Sequence, residues 1–151
     1  MKLLCDQMLG TLAKWLRIYG FDTFFAKNVI EDLELLRIAK KENRILLTRD
    51  KELISQARRE NIKNIDIKTT DIDLQIKTVL DKIKPEKTKI LSRCILCNAL
   101  VSKINKEEVK EKVPERVFEN NDKFWICKKC NKIYWRGTHY KKMFEKINNL
   151  G

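Results

Sequence analysis

The sequence predicts an α/β fold: a mostly parallel sheet covered by helices on both faces, followed by a small metal-stapled module. Three observations predict it. Over the first 84 residues, short apolar runs alternate with stretches of helical periodicity. The runs are continuously apolar rather than alternating, as strands buried on both faces require, and such strands belong to parallel sheets. Beyond residue 89, two Cys-x-x-Cys pairs replace that rhythm.

Each element follows in order. Lys2–Cys5 is an apolar run ending at Asp6 and reads as a strand. Residues 8–19 carry Leu9, Leu12, Ala13 and Leu16 at helical spacing, and Gly20 stops that helix. Residues 23–26 read as a strand. Residues 32–43 form a helix with Leu35, Leu36 and Ala39 on one face. Ile45–Thr48 is a strand, 50–60 a helix and 65–68 a strand. Residues 71–84 are a helix with a looser stripe of Leu74, Ile76, Leu80 and Ile83. The crossovers should be right-handed. The polar stretch from Pro85 to Lys89 breaks the pattern, which sets expected domains of 1–87 and 88–151. In the second, strands are expected at 124–127 and Ile133–Trp135, and a last helix over 139–148.

The formal net charge is +12, unevenly spread. Residues 1–87 hold 18 Lys+Arg against 14 Asp+Glu, and residues 88–151 hold 15 against 7. A basic chain of this size suits a polyanion, nucleic acid above all. No run of 18 apolar residues is present, so no membrane span is expected. Asp6 comes too early for a signal peptide. The expected compartment is the cytosol, where paired Cys-x-x-Cys motifs bind metal rather than form disulfides.

Cys94, Cys97, Cys127 and Cys130 supply four soft thiolates, with 29 residues between the pairs. Four such ligands fill a tetrahedral shell, which predicts one structural Zn²⁺ with no position open for substrate. Asn98 and Asn131 each follow a pair, and Asn tolerates the left-handed backbone such a turn needs. His139, the sole histidine, is expected in the first turn of the last helix behind Thr138, or at a nucleic-acid contact. Cys5 is expected to be packing.

Asp6, Asp32 and Asp50 form a second constellation. Asp6 ends the first strand, while Asp32 and Asp50 open helices. In a parallel sheet all three fall at the carboxyl edge, where such folds place their sites. Carboxylates gathered there repel one another unless a cation intervenes, and Mg²⁺ or Mn²⁺ prefers such oxygen ligands. N-capping is the competing role, with Asp6 outside any obvious cap position. Asp71 and Asp73 fall at the same edge, with Thr70 to Asp73 fitting a capping box. Arg49 either holds a phosphate or pairs with a carboxylate. Lys14 and Arg17 share a helix face that suits phosphate contact or plain solvation.

Together, Asp6 to Gly10, Leu12 to Arg17, Asp32 to Leu36, Ile45 to Asp50, the two Cys-x-x-Cys-Asn units and Tyr134 to Tyr140 resemble the Mut7-C RNase domain family. The resemblance covers nearly the whole chain. It implies a PIN-like three-layer α/β/α domain with a mostly parallel sheet, then a small zinc ribbon. It also implies a Mg/Mn-dependent endoribonuclease whose acidic cluster is Asp6, Asp32 and Asp50. On that reading Arg49, Lys14 and Arg17, with Lys128, Lys129 and Arg136 of the ribbon, hold RNA, and Tyr134, Trp135 and Tyr140 either stack on bases or form the ribbon core. The alternatives are a non-catalytic RNA-binding module, or an adaptor that docks a ribonucleoprotein.

Overall fold

The computed structural model describes residues 1–28 and 30–150, with the side chains of residues 138–140, 143, 144 and 150 outside the described set. The expectations for Thr138, His139 and Tyr140 therefore concern side chains outside the described residues. The first half is an α/β unit: β1 (Lys2–Cys5), α1 (Gly10–Ile18), β2 (Asp22–Phe25), α2 (Asp32–Lys41), β3 (Ile45–Thr48), α3 (Lys51–Arg59), β4 (Asn64–Asp66) and α4 (Ile72–Lys82). Its sheet is wholly parallel, with strand order β2-β1-β3-β4.

Alternation along the strands sorts the core into two layers. Leu3, Cys5, Leu47 and Ile65 face α1 and α4, packing on Leu12, Leu16, Ile76 and Val79. Leu4 and Leu46 face α2 and α3, packing on Leu35, Ala39, Leu53 and Ala57. Fully buried leucines of this kind each contribute about 1.5–3 kcal/mol by leaving water. The helix expected over 8–19 begins later, because a 3-10 turn at Gln7–Leu9 comes first. Gly20 ends α1 at φ +94, and a Cβ there would collide with the backbone of Lys89. Both the backbone angle and the close approach demand glycine.

The second half has its own antiparallel sheet, order β5-β6-β7, from β5 (Ser102–Ile104), β6 (Phe124–Ile126) and β7 (Ile133–Trp135). A short α5 (Glu115–Asn120) lies between β5 and β6, and α6 (Thr138–Leu150) closes the chain. Among the described residues the halves are in contact at two places. Residues 90–98 run against α1 and β2, with Leu91 N–H donating to Ile18 O at 2.8 Å. At the other place α6 lies on α4: Ile147 joins the first half's core, and Lys146 Nζ sits 2.9 Å from Asp73 Oδ1 and 4.6 Å above the Trp15 ring. No helix among the described residues is long and apolar enough to cross a membrane.

Candidate functional site

The two Cys-x-x-Cys pairs meet. The four sulfurs of Cys94, Cys97, Cys127 and Cys130 all lie within 4.8 Å of one another, placed to hold one metal ion. The two turns are built alike. Asn98 and Asn131 sit at φ 66 and φ 64, and each donates its N–H to the carbonyl of the first cysteine of its pair, at 2.9 and 2.6 Å. Cys94 and Cys127 N–H groups donate to Ala99 O and Lys132 O. The left-handed step turns the chain back so that both sulfurs point inward.

The donor set suits a cation electrostatically. A bond shared with Cys130, then burial and the neighbouring thiolates, pushes the Cys97 thiol up to about 12. Four thiolates at this spacing repel unless positive charge sits among them. Burial alone would raise Cys94. The Tyr134 hydroxyl and the N–H groups of Cys97 and Leu96 outweigh it and bring Cys94 down to about 7. Tyr134 keeps its proton, held up by burial and by that sulfur. It bonds Cys94 Sγ at 3.0 Å and accepts the Ile95 N–H at 3.2 Å. Orientation of a metal ligand by such an outer contact is general. Tyr134 is thus committed to the cysteine cluster.

The acidic residues also gather on one edge. Asp6 follows β1, and its N–H donates to Leu47 O at 3.1 Å. Its Oδ2 accepts from Thr48 Oγ1 at 2.9 Å, and its Oδ1 accepts from Gln7 N–H at 2.7 Å. Asp6 therefore does cap a turn, the 3-10 one, against the sequence expectation that it had no such role. Asp50 caps α3, its Oδ1 accepting from Glu52 and Leu53 N–H groups, which leaves Oδ2 for other partners. Asp32 is the first residue of α2 and caps nothing. Burial, then the charges of Asp50, Asp6 and Glu52, hold its carboxyl above the ordinary range. Three carboxylates thus act on Asp32, and Glu52 was invisible in sequence because it looked like an ordinary first-turn acid.

Strand order explains the meeting. β1 and β3 are neighbours whose chains depart to opposite sides, which makes the carboxyl end between them the switch point of the sheet. Among the described residues, only the four cysteines gather closely enough to hold a metal by themselves. A cation among the carboxylates would have to keep its waters and take one or two direct ligands, as Mg²⁺ does.

Other expected residues separate. Lys14 is exposed, but Arg17 is buried. Arg17 Nε donates to Thr23 O at 3.0 Å, and its Nη1 donates to Ile95 O at 2.7 Å and Leu96 O at 3.3 Å. Arg17 joins β2 to the first cysteine turn, its guanidinium occupied by these three carbonyls. Asp71, not Thr70, caps α4, and Asp73 pairs with Lys146. Lys128, Lys129 and Arg136 are exposed, Arg136 lying 4.9 Å over the Trp125 ring. Beside it, Trp125, Trp135, Leu91, Ile95 and Arg93 line a cleft of about 290 Å³ between the halves.

The cysteine cluster docks on the amino end of β2, because Asn98 bonds Asp22 and Thr23 there. The carboxylates lie past the opposite ends of β1 and β3. Four strand residues separate these levels, about 13 Å at ~3.3 Å per residue.

The model of one protein family, the Mut7-C RNAse domain, matches residues 1–147. No curated protein and no solved structure matches the chain.

Proposed function

The chain belongs to the Mut7-C RNAse domain family, and from that premise we propose that it is a metal-dependent ribonuclease acting at the carboxyl edge of its parallel sheet. The observation that carries the reading is that Asp6 and Asp50 follow the carboxyl ends of the neighbouring strands β1 and β3, where their charges act on Asp32. A bound Mg²⁺ or Mn²⁺ supplies an activated water and charge neutralisation for the phosphoryl group. Asp6, held rigid by Thr48 and Gln7, Asp50, with one oxygen fixed by the α3 cap, and Asp32 are the residues that would hold the cation.

The cysteine cluster takes Zn²⁺ and serves as scaffold, since four thiolates leave it no open position. The five unbridged cysteines fit a reducing compartment such as the cytosol. Residues 1–87 then act as the nuclease half and 88–151 as the gripping half. Lys128, Lys129 and Arg136 hold the RNA backbone, and the cleft beside Trp125 and Trp135 accepts an unpaired base.

Cleavage of a single-stranded RNA with Mn²⁺ or Mg²⁺ is the test, comparing wild type with Asp6→Asn/Asp50→Asn. Asn is as good an N-cap as Asp, so the double variant should fold while losing negative charge. Activity should vanish in it. Equal cleavage by both proteins would sink the reading.

A further inference from the structure

Asp66, Arg49, Lys51 and Lys68 surround a second cavity at the same edge, about 390 Å³ in volume. Register gives its position. Leu47 and Ile65 face α1 and α4, so Thr48 and Asp66, one residue on, face the α2/α3 side. Asp6 follows Cys5, which pairs with Leu47, so Asp6, Thr48 and Asp66 form one row across β1, β3 and β4. Two strand spacings separate Asp66 from Asp6, about 10 Å.

Two polar atoms here have no partner. Asp66 Oδ1 and Arg49 Nε are both buried and unbonded. A buried carboxylate oxygen without a donor, and a buried guanidinium N–H without an acceptor, are each unfavourable. They do not satisfy each other, since no ion pair joins Arg49 to Asp66 among the described residues. Both residues line the cavity, and a ligand that donates to Asp66 and accepts from Arg49 suits it. Three cations against one carboxylate make that ligand anionic. A ribonucleotide unit meets both demands: its phosphate accepts, and its 2′-hydroxyl donates. A deoxyribonucleotide within a strand meets only the first.

We propose that Asp66, Arg49, Lys51 and Lys68 form a sugar–phosphate subsite, in which Asp66 accepts the 2′-hydroxyl of an RNA strand and the cations hold the adjoining phosphate. The subsite sits about 10 Å along the edge from Asp6 and makes the site choose RNA over DNA. This rests on the ribonuclease reading for its ligand class but not on catalysis.

The test is equilibrium binding of fluorescent single strands to the full chain without added divalent cation, so an inert enzyme still gives an answer. Wild type should bind RNA over DNA of the same sequence by roughly 10-fold or more, the range of a hydrogen bond to a charged acceptor. In an RNA scanned with single 2′-deoxy substitutions, the loss should concentrate at one position. Asp66→Ala should abolish the preference, while Arg49→Gln should weaken RNA and DNA alike and lower the salt slope. If wild type shows no preference at any position, or if folded Asp66→Ala keeps it, the subsite is wrong. Should Asp66→Ala fail to fold, the deoxy scan on wild type decides alone. Should Asp66→Ala leave the preference intact yet abolish cleavage and weaken Mn²⁺ binding, Asp66 is a metal ligand and the proposal falls. Loss of cleavage in every condition with the preference intact would defeat the catalytic reading and leave the subsite standing.

Discussion

Asn98 Nδ2 donates to Asp22 Oδ1 at 2.7 Å, while Asn98 Oδ1 accepts the Thr23 N–H at 2.9 Å. The residue that closes the first cysteine turn is therefore also an extra partner for the start of β2. Asp22 Oδ1 accepts a second bond from Arg44 Nη1 at 2.9 Å, and the same nitrogen reaches Leu3 O at 3.0 Å. A single side chain thus ties the order of the metal site to the order of the parallel sheet.

Asn98→Ala should lower stability by about 2–3 kcal/mol, the sum of a lost bond to a charged acceptor and a strained left-handed backbone. Asn98→Gly restores the backbone freedom and should recover about 1 kcal/mol of that. Chemical denaturation of the metal-loaded protein measures both. Equal stability of Gly and Ala variants would show that backbone strain at φ 66 is unimportant.

Acid should loosen this junction. Burial raises Asp22, but bonds from Asn98 and Arg44 and the charges of Arg44 and Arg93 outweigh it, so its folded pKa is lowered. Its stabilisation is fully present above the unfolded value near about 3.9 and disappears as pH falls through the lower folded value. Melting temperature should drop below pH ~4, and Asp22→Asn should flatten that drop. An unchanged pH profile in the variant would refute the linkage.

Asp32 carries the opposite sign. Its folded pKa is raised, so its favourable contribution exists below the unfolded pKa and is lost as pH rises through the folded one. At neutral pH the ionised carboxylate is a liability. Asp32→Asn should melt slightly higher than wild type at pH 7, show no such gain near pH 4, and lose ribonuclease activity. Mn²⁺ should raise the wild-type melting temperature more than the variant's.

Stripping the cysteine-bound metal should unfold the second sheet before the first. Phe124 and Val109 are its few buried apolar anchors, too small a core to persist alone. Fluorescence of Trp125 and Trp135 should report the loss at chelator concentrations that leave the parallel sheet's circular dichroism largely in place. Coincident loss of both signals would mean that the halves unfold as one unit.

A chain ending at residue 87 should aggregate or melt far below the full protein. It would uncover the Ile147 contact and lose the packing of Ile90, Leu91 and Ile95 on the first core. Ile147→Ala in the full chain should by itself cost about 2–4 kcal/mol.

Much of this was readable beforehand, for local reasons. Lys2–Cys5, Ile45–Thr48 and Ile133–Trp135 are strands with the bounds their apolar runs imply. Gly20 stops α1 as its position suggests. The cysteine pairs converge as four thiolates suited to one metal ion suggest. What could not be read depends on distant partners. β5 is Ser-Lys-Ile, only partly buried, and is a strand because it pairs with β6. Arg17 has the look of a solvated cation until carbonyls 78 and 79 positions later enclose it. Asp66 has no motif at all, and only the register with Thr48 brings it to the edge.

The return of α6 to α4 has one more consequence. With Ile147 seated in the first core and residues 90–98 pinned to β2, the ribbon is a loop anchored at both ends. Loop closure entropy grows only as the logarithm of length, about 0.6 kcal/mol per doubling. The largely exposed turn from Lys110 to Pro114, between the buried Val109 and α5, can therefore lengthen or shorten at little thermodynamic penalty, while both anchors stay fixed. It is the place where new specificity can be grafted without disturbing the carboxylate edge of the parallel sheet.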